Sequence, residues 1–401
     1  MLSERPICVP KQKEVDAMIF EKSRNGLAFA GRIVSASVFL FALTGLAETA
    51  GATTLADLVQ KAKQEGALNA TVISSLTGRE TQPLAAAFKK RFGLDINVTI
   101  TPILNTQNYP KAIAETKAGS VPTYDAIEGS DTNNMALIGV GGALKIDNWE
   151  RLLAEINPVV RAGKARPEQL SPGPLKGLGF AHLSRTKSLI YNPKLISRDK
   201  LPRTHADLAL SQYKGMWTQP PWTTHWEPGP LVVPEMSKEK WVEIVRQAGR
   251  NGGAVQVESA GVQRLLLGEF AFTMANTHYY FSYKAKDPQA PIEITFFKDF
   301  NVTTDAYYIV RKNARNPAAG TLFALWIATP EAQAIWQPRD FNTQRWGESE
   351  LDKKERKFME ESGAKLFSFM DSEKGLEYLN WMSTDDGRNF KEALGKGIRG
   401  E

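Results

Sequence analysis

The sequence predicts an α/β fold on a parallel or mostly parallel sheet, folded as two lobes. Three observations point there. Helical and strand-like apolar patterns alternate early in the chain, 401 residues exceed one ordinary domain, and 42% hydrophobic with 23% charged residues is the balance of a folded globular chain.

Taken in order, the first element is "IVSASVFLFALTGLA" (Ile33 to Ala47), an apolar run behind Lys22, Arg24 and Arg32 and ahead of "AGA" (Ala50 to Ala52). A basic flank, a stretch shorter than a bilayer span and small residues after it are the layout of a cleaved secretory signal peptide, residues 1–52, with Met18 as an alternative start. Cleavage falls after Ala52 or after Ala47, and the expected destination is the periplasm. The only cysteine, Cys8, precedes this run, so the mature chain has no disulfide and no thiolate metal site. A formal charge of +6 without a polybasic block gives poor support for nucleic acid.

Leu55, Leu58, Val59 and Ala62 fall at helical spacing, Glu65-Gly66 supplies a stop, and Leu68, Ala70 and Val72 alternate as in a strand. "SSLTGRE" (Ser74 to Glu80) is the next loop, Leu84 to Phe92 a helix closed by Gly93, and Ile96, Val98 and Ile100 a second strand. The plan repeats with a helix from Tyr109 to Lys117, a break at Gly119 to Pro122, and "YDAI" as a short strand ending in "EGSD" (Glu128 to Asp131). Pro167 to Pro174 is rich in Pro and Gly and reads as a crossing between lobes. "SLIYNPKLI" is a strand broken at Asn192-Pro193. The segment with Trp217, Trp222 and Trp226 among five prolines is irregular, and its indoles either stack on a ligand or plug the end of a lobe. "EFAFTMA" is a buried strand, Asn276 or Thr277 caps the following helix, and Ile292, Ile294 and Phe296 alternate. "AYYIV" is a further strand whose Tyr307 and Tyr308 face opposite ways, outside any site. "NPAAGTLFALWIATPEAQAIW" gives two helices with a Thr-Pro break, and "DKKERKFMEES" a solvated helix face.

Enzyme signatures are absent from the sequence: His182, His205, His225 and His278 lack zinc-helix spacing, and there is no Gly-x-Ser-x-Gly elbow, Walker loop or dinucleotide fingerprint. No cofactor is expected. Binding leaves clearer traces, because ligands of such sheets sit beyond the carboxyl ends of strands, where helix N-termini offer unpaired N–H groups. "SSLTGRE" holds that position with Ser75, Thr77 and the charged fork of Arg79, and "EGSD" holds it with Glu128 and Asp131. In "MANTHYYFSYK" (Met274 to Lys284), Tyr279 and Tyr280 lie in a first helical turn, from which both rings reach one cleft. Phenolate suits ferric iron, whereas neutral phenol suits hydrogen bonding or stacking on an organic solute.

The ordered segments "TLADLVQKAKQEGALNATVISSLTGRETQPLAAAFKKRFGLDINVTI", "GSVPTYDAI", "SLIYNPKLI" with "YKGMW", "GEFAFTMANTHYY" and "NPAAGTLFALWIATPEAQAIW" resemble the type 2 solute-binding proteins of bacterial ABC importers. Within them the chain is most similar to the branch that includes the ferric-iron-binding proteins. The resemblance implies two α/β lobes joined by crossing strands with the ligand cleft between them, lobe 1 being 53–150 plus about 300–350 and lobe 2 being 151–299 plus about 351–401. It also implies hinge closure over the solute and delivery, as a monomer, to a membrane permease. For ferric iron it makes Tyr279, Tyr280 and Tyr191 the metal ligands. "SSLTGRE" has neither the histidine nor the tyrosine that some iron binders place there. The solute expected is therefore a small organic or phosphonate-type anion, or ferric iron, with Trp222 joining the walls and His278 a structural residue. A secreted enzyme or a sensory receptor on the same two-lobe fold are the alternatives.

Overall fold

Polar caps and left-handed glycines bound the first elements of the computed structural model, which describes residues 53–252, 254–382 and 384–401. Thr54 and Asp57 form a reciprocal capping box on helix Leu55–Glu65, and Gly66 at φ +72° ends it. The apolar run Ile33–Ala47 and both expected cleavage positions lie outside the described residues.

Strand β1 (Ala67–Ile73) buries Leu68, Ala70 and Val72 as its alternation requires. Helix Gly78–Phe92 follows, opened by a Thr77–Glu80 capping box and ended by Gly93 in the left-handed region. Then come β2 (Asn97–Ile103), helix Asn105–Lys117 and β3 (Ala126–Ser130). Here the expected loop "EGSD" shortens: Glu128, Gly129 and Ser130 pair with Tyr308, Tyr307 and Ala306, and only Asp131 opens the next helix, Asp131–Gly139. The partner strand is the expected "AYYIV", but its pairing with this segment is not legible in local pattern.

The remaining strands are β4 (Gly179–Tyr191), β5 (Trp217–Gln219), β6 (Ala254–Val255), β7 (Phe272–Asn276), β8 (Glu293–Thr295), β9 (Asn301–Val310) and β10 (Leu366–Phe367). Their order is β2-β1-β3-β9-β4-β7-β5-β6, with β8 on β4 and β10 on β9. The sheet is mixed rather than mostly parallel. β1, β2 and β3 are mutually parallel, as are β5, β6 and β7, but β4 and β9 run antiparallel to each other through the middle.

Two large apolar clusters cover this sheet. One packs Phe88, Phe323 and Trp326 over β1 and β3, with Phe88 and Phe323 centroids 5.5 Å apart. The other holds Trp217, Trp226 and Trp241 against β7, so two of the three indoles in the proline-rich segment plug a core. Trp222 is different, at 43% exposed. Tyr307 and Tyr308 do face opposite clusters. Helix Glu350–Ser362 is mostly solvated, as its charges predict, but Asp352 and Glu355 are buried. Asp352 accepts from Gln333 (2.7 Å), Gln337 (3.0 Å) and the Gln344 N–H (2.9 Å), and Glu355 accepts from Thr277. No described helix is long and apolar enough to cross a membrane.

Candidate functional site

The register of the two central strands places the site. Ser130, the last residue of β3, pairs with Ala306, which pairs with Leu183 on β4; Asn276, the last residue of β7, pairs with Lys187 on the same strand. Since β3 and β7 run in opposite directions, their carboxyl ends face each other along β4, separated by four residues, or ~13 Å at strand rise. Arg185 stands midway. Helices Asp131–Gly139 and Thr277–Lys286 begin at these two ends, so two sets of unpaired helical N–H groups flank one space.

At the β7 end, Asn276 occupies the N-cap position of helix Thr277–Lys286 but makes no side-chain cap bond. Its amide instead donates to Glu258 at 2.7 Å, while Lys187 makes an ion pair with the same buried carboxylate. Glu258 is thereby occupied. Tyr279 leans on His278, with ring centroids 4.1 Å apart and planes tilted by 35°. Burial raises its phenol pKa, Glu258 adds to that, and Arg185 opposes it. His278 is pushed down to about 3, chiefly by burial, and its Nδ1 has no hydrogen-bond partner among the described residues. The ring is therefore neutral.

Tyr280 has different neighbours. Its ring meets Phe281 edge-on at 5.4 Å and stacks towards Phe358 at 6.5 Å, and its phenol is raised by burial, then by Glu293 and Tyr191. Tyr191 ends β4 opposite Phe272 and Glu293, itself buried. The charged surroundings of Tyr279 are Glu258, Arg185 and Asp340, and those of Tyr280 are Glu293 and Tyr191. A third of a turn between adjacent helical residues accounts for the divergence.

At the facing end, Ser75 donates its hydroxyl to Asp340, the last residue of helix Pro330–Asp340, and Asn342 donates to the other carboxylate oxygen. The Thr77 hydroxyl is used in its cap, 2.7 Å from Glu80. Arg79 is exposed on the first turn of the same helix. Glu128 is buried, with its pKa raised by burial against the pull of Arg185, and its Oε1 has no hydrogen-bond partner among the described residues. The Arg185 guanidinium approaches that Oε1 only to 3.8 Å. Arg185 thus approaches Glu128, and its charge acts on Tyr279 together with that of Asp340, which Ser75 binds, whereas Tyr280 feels Glu293 and Tyr191.

Asp131, buried at the start of its helix, is raised from 3.8 to about 7, first by burial and then, against a Thr132 N–H bond, by Asp305 and Glu227. A carboxyl raised on folding binds its proton more tightly in the native state, so its stabilising contribution is present below about pH 4 and is lost as pH rises through about 7. Asp131→Asn is expected to raise unfolding free energy at about pH 8 by on the order of 2 kcal/mol and to flatten the profile between about pH 4 and 7. Denaturant titrations at the two ends of that window check it; equal destabilisation at both would mean the ionised carboxylate is favourable.

Arg185, Lys187, Glu258 and Asp340 escaped the sequence reading. "SRTKS" did carry a signal: two cations two residues apart share one face of a strand that is otherwise buried, and such charges need a reason. Asp340 and Glu258 had none, because each reaches the site from a distant part of the chain. Among the described residues, no group of three or more His, Cys, Asp or Glu is placed to hold a metal ion.

Comparison with known proteins finds the same fold. The substrate-binding protein of an Agrobacterium tumefaciens ABC transporter superimposes with a TM-score of 0.61 at 18% identity, over 84% of this chain and 97% of that one. A ferric-binding protein from Campylobacter jejuni gives 0.61 at 15% identity, over 82% and 99%. Iron-bound HitA from Pseudomonas aeruginosa gives 0.56 at 16%, over 69% and 86%. At these identities the likeness is one of fold. No curated protein sequence matches the chain. Residues 83–338, well over half of the chain, match the family described as bacterial extracellular solute-binding protein, and the chain belongs to that family.

Proposed function

We propose that this chain is the periplasmic solute-binding component of an ABC importer and that its solute is a small organic carboxylate or phosphonate. The observation that carries the solute class is Arg185. Glu258 is matched by Lys187 and Asn276, and Asp340 by Ser75 and Asn342, but Arg185, 21% exposed in its side chain, has a single charged partner at 3.8 Å among the described residues. A guanidinium fork with unfilled donors, between two helix N-termini, suits a bidentate anion. Tyr279, held neutral by its raised pKa, donates a hydrogen bond to the same solute.

Closure brings the two halves, 53–150 plus about 300–350 and 151–299 plus about 351–401, together over the solute, and β4 and β9 supply the crossing strands. Capture requires only that the closed state bind better than the open one; no bond is made or broken. Delivery to a membrane permease follows.

Ferric iron is the second reading, favoured by the ferric-binding proteins among the similar folds and by the oxygen atoms of Tyr279, Glu128 and Asp340 in one neighbourhood. It needs a phenolate, so metal binding must displace a tightly held proton. Thermal unfolding of the mature chain against dicarboxylates, alkylphosphonates and ferric citrate separates the two. An anion-induced rise of a few degrees, lost in Tyr279→Phe only in part, supports the proposal. A rise with ferric citrate alone, with a visible charge-transfer band abolished by Tyr279→Phe, replaces it by iron.

A further inference from the structure

We infer that a cavity built from the C-terminal helices and the segment after β5 is a binding site for a small organic cation, independent of the cleft solute. The cavity holds about 330 Å³ and its walls include Tyr378, Trp381, Phe390 and Leu231, with Glu227 reaching it from the proline-rich segment. Tyr378 and Trp381 centroids lie 5.6 Å apart at 50°, and Trp381 and Phe390 5.6 Å apart at 49°. Three tilted rings therefore enclose one concave apolar surface.

Glu227 gives that surface a charge. The residue is 0% exposed; its Oε1 accepts from Thr223 at 2.6 Å and sees Lys391 at 3.7 Å, while Oε2 has no hydrogen-bond partner among the described residues. The Tyr378 hydroxyl, its pKa raised by burial and then by Glu227, lies beside that carboxylate as its hydrogen-bond neighbour. The carboxylate therefore lies behind the aromatic wall, with Lys391 at 3.7 Å as its one charged contact among the described residues. An ammonium group in the cavity adds a second positive charge near that carboxylate, and aromatic faces attract it through their quadrupoles.

A cation already sits against this wall. Lys238 Nζ lies 3.8 Å from the Trp381 centroid, on an exposed lysine that lines the same cavity. It shows that the indole face accepts a positive charge, and it competes with any incoming one. Lysine on a flexible stem is readily displaced at such an exposed site.

Titration calorimetry of the mature chain with choline, and with 3,3-dimethylbutan-1-ol as its uncharged isostere, tests the inference. Choline is expected to bind at least tenfold more tightly than the alcohol. Trp381→Leu and Glu227→Gln are each expected to weaken choline at least tenfold, and Lys238→Ala, a surface change, to tighten it. Arg185→Ala, which reports on the cleft, is expected to leave choline binding unchanged. No heat from choline in either the unaltered chain or Lys238→Ala overturns the inference, as does equal binding of the alcohol. Loss of choline in Arg185→Ala with retention in Trp381→Leu transfers the cation to the cleft and also overturns it.

Discussion

Replacing Arg185 by alanine is expected to weaken binding of the anionic solute at least a hundredfold while leaving the fold intact. Its side chain is partly exposed and its one ion pair is the 3.8 Å contact to Glu128; without it the buried Glu128, whose pKa is already raised, takes up a proton and the native state is kept. In the complex, by contrast, it would make charge-assisted and bidentate bonds, each about twice a neutral hydrogen bond, in a space shielded from water. A hundredfold corresponds to ~2.7 kcal/mol, within what one such pair supplies. Lysine at 185 keeps the charge but not the fork and should recover only part of the loss. The solute-induced rise in melting temperature reads the result directly. A variant that still responds as the parent does would remove Arg185 from the site, and with it the main support for an anion.

The largest effect on stability is expected at Arg311, where β9 ends. This arginine is 1% exposed; Nη2 donates to the Ala112 carbonyl at 2.8 Å and to Thr116 at 3.1 Å, and Nη1 to Glu115 at 3.2 Å. Burial lowers its pKa and Glu115 raises it again, the balance of a charge that depends on its partner. Arg311→Ala leaves Glu115 with Lys111 at 3.9 Å as its remaining charged partner, beside the Thr123 hydroxyl at 2.6 Å, and breaking such a buried pair costs about 3–5 kcal/mol. Urea unfolding should show the midpoint fall with the slope unchanged. Arg311→Met, which fills the volume but removes both charge and donors, should recover little. If it recovers most of the loss, packing rather than the ion pair holds helix Asn105–Lys117 to β9.

What the residues disclosed locally was accurate where the interaction is local. Gly66 and Gly93 supply the positive φ that ends two helices and Thr329 caps the helix after the Thr-Pro break, so these boundaries were readable, whereas the Thr77 cap opens its helix at Gly78, inside the stretch read as a loop and ahead of Leu84. Misreadings arose where a distant segment intervened. Asn276 stands at a cap position but spends its amide on Glu258, and the loop expected at Glu128 became strand because β9 offered an edge.

The sequence by itself determined the α/β class, the order of most elements, the family, and the placing of Tyr279 at a helix start beyond a strand. These depend on short-range periodicity, on capping, and on ordered segments that survive as text. Only the tertiary structure decided which candidates meet. It set Arg185 midway between the ends of β3 and β7, because strand register along β4 fixes that level and register follows from pairing between segments far apart in the chain. It sent Tyr280 to Tyr191 and away from Tyr279, and it put Thr77 to use as a cap. Helical geometry made the two tyrosines diverge; packing chose the direction of each.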